Sequence, residues 1–169
     1  MAFTACPACA KEPNTHSFTE FGTKDGIRLF YTAPARANPN ETSEVRLTNF
    51  KLHLDQAKGV PWIWIFDFAH MESKHHTGIH FTTGLAKILI EEHETNLKEI
   101  ILVRMNPWAI FVLNMLKTMF SSPIFSRIRF IDGETLELYM NLKKEFQEKP
   151  LLWLGKTVML GPEKELPLV

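Results

Sequence analysis

The stretch that most limits what this chain can fold into begins at Asn106-Pro107. It continues as Trp108, Ala109, Ile110, Phe111, Val112, Leu113, Asn114, Met115, Leu116, Lys117, Thr118, Met119 and Phe120. Asparagine before proline reads as an N-cap followed by the first helical position, where a missing N–H costs nothing. The helix so started has only Asn114, Lys117 and Thr118 as polar residues before Ser121-Ser122-Pro123 stops it. A surface helix keeps one polar face, so this one requires cover on nearly every side. It is too short to cross a bilayer, which takes ~20 apolar residues. Its cover must come from the rest of the chain, a lipid, a membrane surface or a partner.

The neighbouring segments define what surrounds it. Ile100 to Met105 is β-branched and apolar, and Trp62 to Phe68 is almost continuously apolar, the pattern of strands buried on both faces. Gly26 to Thr32 and Ser126 to Ile131 read as two more strands. Between them, Leu47, Phe50, Leu54 and Ala57 take helical spacing behind an N-cap at Thr42 or Ser43. Ile79, Thr82, Ala86, Leu89 and Ile90 predict a second helix ending near His93. Asp132-Gly133 opens a last helix through Leu138, Tyr139, Leu142 and Phe146, with Glu134 and Glu137 early and Lys143 and Lys144 late, as the helix dipole favours. The order β-α-β-α-β-α-β-α predicts an α/β fold, a sandwich of helices on a largely parallel β-sheet. A chain of 169 residues suits one such domain. The expected organisation is a loose N-terminal arm over 1–25, a single domain over 26–160 with 151–160 adding an edge strand, and a flexible tail over 161–169.

Charge narrows the partners. Lysine and arginine balance aspartate and glutamate at a formal net charge of zero, so nothing favours nucleic acid. Thirteen Phe, four Trp and seven Met supply the soft and aromatic side chains that fill cores and line lipid pockets. The N-terminus carries no secretory pattern and there are only two cysteines, which together predict a cytoplasmic protein, with peripheral contact at membranes allowed by the apolar helix.

Motifs for nucleotide binding and serine hydrolysis are absent. Asp67, ending a buried strand, stands where α/β enzymes keep functional groups, and a cap or ion pair is the plainer reading. Catalysis, if any, would use Asp67 with His70 or His75. His76 and His80 are spaced i, i+4, near enough on a helix to share a metal with Glu72; a solvated polar loop is the preferred reading, so no metal is assigned. Cys6-Pro7-Ala8-Cys9 is a C-x-x-C with only His16 nearby, short of a complete zinc ligand set. Arg127 and Arg129 alternate on a predicted strand, so both guanidiniums would leave one face and could hold a phosphate head-group, or else pair with Glu134 or Glu137.

Taken together, the strand ending FDF, the run HETNLKEIILVRMNPWAIF, the apolar helix and the segment SRIRFIDG resemble the CRAL-TRIO lipid-binding domain, the fold of phosphatidylinositol-transfer proteins. Asp67 matches the aspartate that ends the family's second strand. Asn106-Pro107 resembles its Asn-x-Pro turn, and Arg127-Ile128 its Lys-Ile. The resemblance covers about Gly26 to Phe146. The chain departs from the pattern at Thr95, where phosphatidylinositol-binding members carry an acid, in its N-terminal segment, which is too short for the family's leading helices, and in lacking the Leu-Pro…Gly-Gly ending. It thus resembles a shortened, divergent member. The architecture also resembles STAS domains, although Ser73 lacks the setting of their phosphorylated serine.

The resemblance implies a non-enzymatic domain that binds a lipid or other apolar ligand between the sheet and a gate-like helix over 107–120, for transfer or sensing. Phe111, Leu113, Met115, Met119 and Phe120 are the expected lining, with Arg127, Arg129 and Asp67 at the polar end. No cofactor is expected beyond a bound phospholipid or similar molecule. The alternative is an interaction scaffold without a cavity, in which a second copy or a small-GTPase-type regulator covers the same helix.

Overall fold

In the computed structural model, which describes residues 6–13, 15–37, 40–146 and 148–159, five strands form one sheet in the order β1-β2-β3-β4-β5. Strands β2 (Ile27–Thr32), β3 (Trp62–Asp67), β4 (Leu97–Val103) and β5 (Ile128–Ile131) are parallel neighbours. Strand β1 (Thr19–Lys24) adds antiparallel to β2 with a bulge between Glu20 and Gly22. Helix α1 (Pro7–Lys11) precedes it. Residues 6–13 and 15–24 are therefore built into the fold, where the sequence reads a loose arm. Residues 1–5 of that arm and the 161–169 tail lie outside the described residues.

The continuous apolar strands serve two cores because alternate side chains leave opposite faces. Trp62, Trp64, Ile100 and Leu102 face helices α2 (Ser43–Leu54), α3 (Ile79–Ile88) and α4 (Pro107–Met119). Ile63, Ile65, Ile101 and Val103 face α5 (Thr135–Lys143) and α6 (Glu148–Met159). The result is three layers, with the sheet between two sets of helices. The bulky aromatics of β3 all point to the α2–α4 side.

Two segments differ from their sequence reading. Residues 148–159 are helix α6 and no edge strand: Leu151, Leu154 and Val158 recur at three and four residues and bury one stripe. Pro150 falls in the first turn of that helix, where its lost N–H would be unsatisfied in any case. The last strand starts later than expected, because Ser122-Pro123 opens a 3-10 turn over Pro123–Arg127. Arg127 therefore does not alternate with Arg129 on a strand. Helix α4 forms as its cap predicts, with the Asn106 side chain accepting from the Ala109 N–H at 2.8 Å.

Candidate functional site

Between the aromatic face of the sheet and helices α3 and α4 lies a hollow of about 170 Å³. Its floor is Trp64, Phe66, Ile100 and Leu102, one wall is Phe81, Leu85 and Ala86, and the opposite wall is Trp108, Ala109, Val112, Leu113 and Leu116. Phe68, stacked on Phe66 at 4.8 Å, and Phe125 complete the lining. The hollow exists because α4 is held lightly. Only Ala109 and Leu113 of this helix are buried, although its sequence is apolar throughout. A space of this size can admit a benzene-sized group, as an engineered apolar cavity of about 150 Å³ does. A whole acyl chain needs more room, which outward movement of α4 would supply.

The other side of α4 is apolar too. Ile110, Phe111 and Met119 are 49%, 55% and 55% exposed. Helix α4 is thus neither sealed by the described residues nor fully withdrawn from water.

Polar groups gather at one end. His75, Thr77 and Thr82 line the hollow, and the Thr77 and Thr82 hydroxyls lie 3.1 Å apart. The Glu72 N–H donates to His75 Nδ1 at 2.9 Å, which leaves Nε2 as the ring's own donor. Burial lowers the His75 pKa, with the Lys74 charge adding to the effect, so the ring is neutral near pH 7. A smaller annex of about 50 Å³ shares Phe66, His75, Thr77, Phe81 and Leu85 and adds Thr15, Thr32 and Arg46. Arg46 lies over the Phe81 ring at 5.8 Å, and burial lowers its pKa.

The residues singled out from sequence are divided by this geometry. Leu113 lines the hollow. Phe111 and Met119 turn outward, and Met115 and Phe120 are half-buried beside it without lining it. Arg127 donates to the carbonyls of Glu94 and Leu97, the latter at 2.8 Å. Arg129 leaves the opposite face of the sheet, held by Glu99 at 2.5 Å and Glu145 at 3.1 Å. These two arginines therefore do not converge on one space, because only Arg129 belongs to the strand.

Asp67 is also on the opposite face. It is buried, accepts hydrogen bonds from the Tyr31 hydroxyl at 2.6 Å and the Ala69 N–H at 3.0 Å, and is clasped by Arg104 through Nε at 2.9 Å and through Nη2. Burial, followed by the Asp67 charge, pushes the Tyr31 pKa well above its ordinary value, so the phenol stays a donor. His70 is exposed, in a left-handed backbone conformation at φ 58°. His76 and His80 do not converge: α3 begins only at Ile79, so they share no helical face, and His76 stacks on Trp108 at 4.6 Å while His80 is exposed. Among the described residues, the one group of His, Cys, Asp or Glu side chains with its donor atoms gathered closely enough to hold a metal is Cys6, Cys9, His16 and His53.

The aromatic lining from β3, and Arg46 and Thr77 at the polar end, were not singled out from sequence, and His75 was named only as a possible catalytic partner of Asp67. Trp64 and Phe66 are recoverable in hindsight from the strand period, since both alternate onto the face opposite Ile63 and Ile65.

No helix among the described residues is long and apolar enough to cross a membrane. No curated protein matches the chain. A family model for the CRAL/TRIO domain matches residues 17–151, which take in all five strands and helices α2 to α5. This chain belongs to the CRAL/TRIO domain family, whose domains are in general binding and transfer modules for lipophilic molecules.

Proposed function

We propose that the hollow between β3, β4, α3 and α4 is the ligand site of this domain, and that α4 is the element that moves to fill and empty it. The observation that carries this reading is a helix apolar on both sides, with Leu113 and Leu116 lining the space behind it and Ile110, Phe111 and Met119 exposed in front. A helix of that kind loses little when it leaves the sheet for a membrane surface, since its outer side meets hydrocarbon there. The apolar chain of a lipid or similar molecule then occupies the enlarged hollow, at ~25 cal/mol for each Å² of apolar surface withdrawn from water. Its polar end lies toward His75, Thr77 and the annex with Arg46. No residue of the site is assigned a catalytic role.

Native mass spectrometry of freshly purified protein is the first test. Extra mass that disappears after organic extraction supports the reading, and a ligand-free dimer supports the scaffold instead. Trp64 and Trp108 provide a second readout, because a brominated fatty acid entering the hollow quenches tryptophan fluorescence on contact. Ala86→Phe fills the hollow from α3 and is expected to reduce that quenching at least tenfold at equal ligand concentration. Phe111→Asp leaves equilibrium uptake from solution intact and slows exchange with vesicles. Unchanged quenching in Ala86→Phe moves the ligand elsewhere and overturns the proposal.

A further inference from the structure

We propose that Cys6, Cys9, His16 and His53 bind a single Zn²⁺ as a closed structural site that fastens the N-terminal segment to helix α2.

Four of the six separations between the donor atoms already have the lengths expected of ligands around one ion. Cys9 Sγ lies 3.4 Å from both His16 Nδ1 and His53 Nε2, Cys6 Sγ lies 3.5 Å from His16 Nδ1, and the two imidazole nitrogens are 3.2 Å apart. All four atoms fall within 4.8 Å of one another. Four ligands around zinc, with Zn–S near 2.3 Å and Zn–N near 2.0–2.1 Å, sit about 3.3 to 3.8 Å from each other. The side chains converge as ligands do around an ion.

Hydrogen bonding alone accounts poorly for this packing. His16 Nε2 is 2.6 Å from Glu41 Oε2, and Asn49 in turn donates to Glu41 Oε1 at 2.7 Å. With its proton held on Nε2 by a carboxylate, the His16 ring points a lone pair, through Nδ1, into the cluster. That is the carboxylate–histidine–metal arrangement that fixes the tautomer and raises ligand basicity. Three other donors meet this one nitrogen within 3.5 Å, more than one lone pair can satisfy through protons. A cation at the centre satisfies all four at once.

The local chain is shaped for it. Cys6 is the N-cap of α1, its Sγ accepting the Cys9 N–H at 3.4 Å, so the C-x-x-C forms a turn that aims both sulfurs the same way. All four residues are buried, at 3%, 8%, 4% and 5% exposure. Binding displaces the two thiol protons, and two thiolates neutralise the divalent charge, which suits a buried centre. Four protein ligands leave no open position, so the site is structural. Two soft sulfurs with two imidazoles select zinc over magnesium or calcium.

The site is separate from the ligand hollow, and three of its four ligands precede the matched family segment, which starts at residue 17. Its consequence reaches the hollow all the same. His53 sits on α2 beside Phe50, and Thr15 and His16 line the annex at the polar end. Fastening Cys6–His16 to α2 fixes that wall.

The test is the metal content of the full chain, expressed without a histidine tag and purified without chelator. About one zinc per chain is expected by mass spectrometry of the metals, falling at least tenfold in Cys9→Ser and His53→Gln and unchanged in His80→Ala. A measurement on the unmutated protein guards against variants that fail to fold. Cobalt(II) added after zinc removal should give the intense visible bands of a tetrahedral thiolate–imidazole site, and a chelator should lower the melting temperature, with zinc restoring it. The proposal is overturned by unmutated protein that holds less than a tenth of an equivalent of zinc, takes up no cobalt(II) with such bands, and melts at the same temperature with and without added zinc. A Cys6–Cys9 disulfide that persists in reduced buffer with zinc present also overturns it.

Discussion

The two faces of the sheet are built from the same strands and behave differently. On the α5–α6 side, Leu138, Leu142 and Leu154 are fully buried, and Gly155 sits so near Tyr139 that an added Cβ would come within 2.4 Å of its ring. The rim on that side is tied by polar contacts. Arg104 joins Asp67 to the Val158 carbonyl at 3.4 Å, and Arg36 donates to the Thr157 carbonyl. On the other side, α2 and α3 meet closely, with Gly84 against Leu47, but α4 stands off from α3 and leaves the hollow. β-Branched residues on one face and indole and phenyl rings on the other explain part of the contrast. Flat rings fixed on a strand leave gaps that only a well-fitted helix would fill, and α4 does not fill them. The closed face is the more tightly packed, and the open face keeps the hollow.

Breaking the closed face should therefore cost the most. Asp67→Ala leaves Arg104 without its carboxylate partner and the Tyr31 hydroxyl without an acceptor, in a pair whose side chains are 1% and 14% exposed. Removing one member of such a pair costs about 3–5 kcal/mol. Urea denaturation should report that loss, while uptake of a brominated fatty acid well below the melting temperature stays unchanged. A variant of full stability that no longer takes up ligand would return Asp67 to the site.

A second comparison sets leucine against leucine. Leu154→Ala, at a fully buried position of α6, should cost about 3 kcal/mol, within the ordinary range for a core leucine. Leu116→Ala, on the half-buried inner side of α4 beside an existing hollow, should cost about 1 kcal/mol or less and enlarge the ligand space. Equal losses at the two positions would show that α4 is packed as firmly as α6, and the gate would be lost with the contrast.

Much of this division was legible from residues. The Trp62–Phe68 run marked the central strand, Asn106-Pro107 marked the start of α4, and the excess of apolar residues in α4 marked an unusual need for cover. The missed parts depended on partners remote in the chain. Strand β1 has Phe21 as its one buried apolar side chain among polar and small residues, so no alternation announces it, and its order comes from pairing with β2. Helix α6 hid its stripe behind Pro150 and Gly155. The Cys6–Cys9 pair looked incomplete because His53 stands on a helix of the domain proper, and no local spacing connects it to His16. Arg127 misled because one proline upstream turned the expected strand into a 3-10 turn.

The open face also carries a fully buried histidine with no hydrogen-bond partner among the described residues, and this makes the smallest and most diagnostic prediction. His93 is fully buried against Trp62, edge to face at 5.5 Å, and neither ring nitrogen meets a hydrogen-bond partner among the described residues. Burial lowers its pKa below the ordinary 6.5, against the opposing charges of Glu92 and Asp55 and with smaller help from Lys51 and Lys58. The folded ring is therefore neutral where the unfolded ring begins to take a proton. A group with a lowered folded pKa of this kind leaves stability undiminished above the unfolded value and reduces it as pH falls through that value toward the folded one. Stability is therefore expected to fall between pH 7.5 and 5.5. His75, also lowered, adds in the same direction. His93→Leu should be neutral or stabilising at pH 7.5, since it removes an unsatisfied buried donor, and should flatten the acid limb of the stability curve. An unchanged acid limb in that variant would mean that His93 finds a partner in solution and does not set the pH response of the open face.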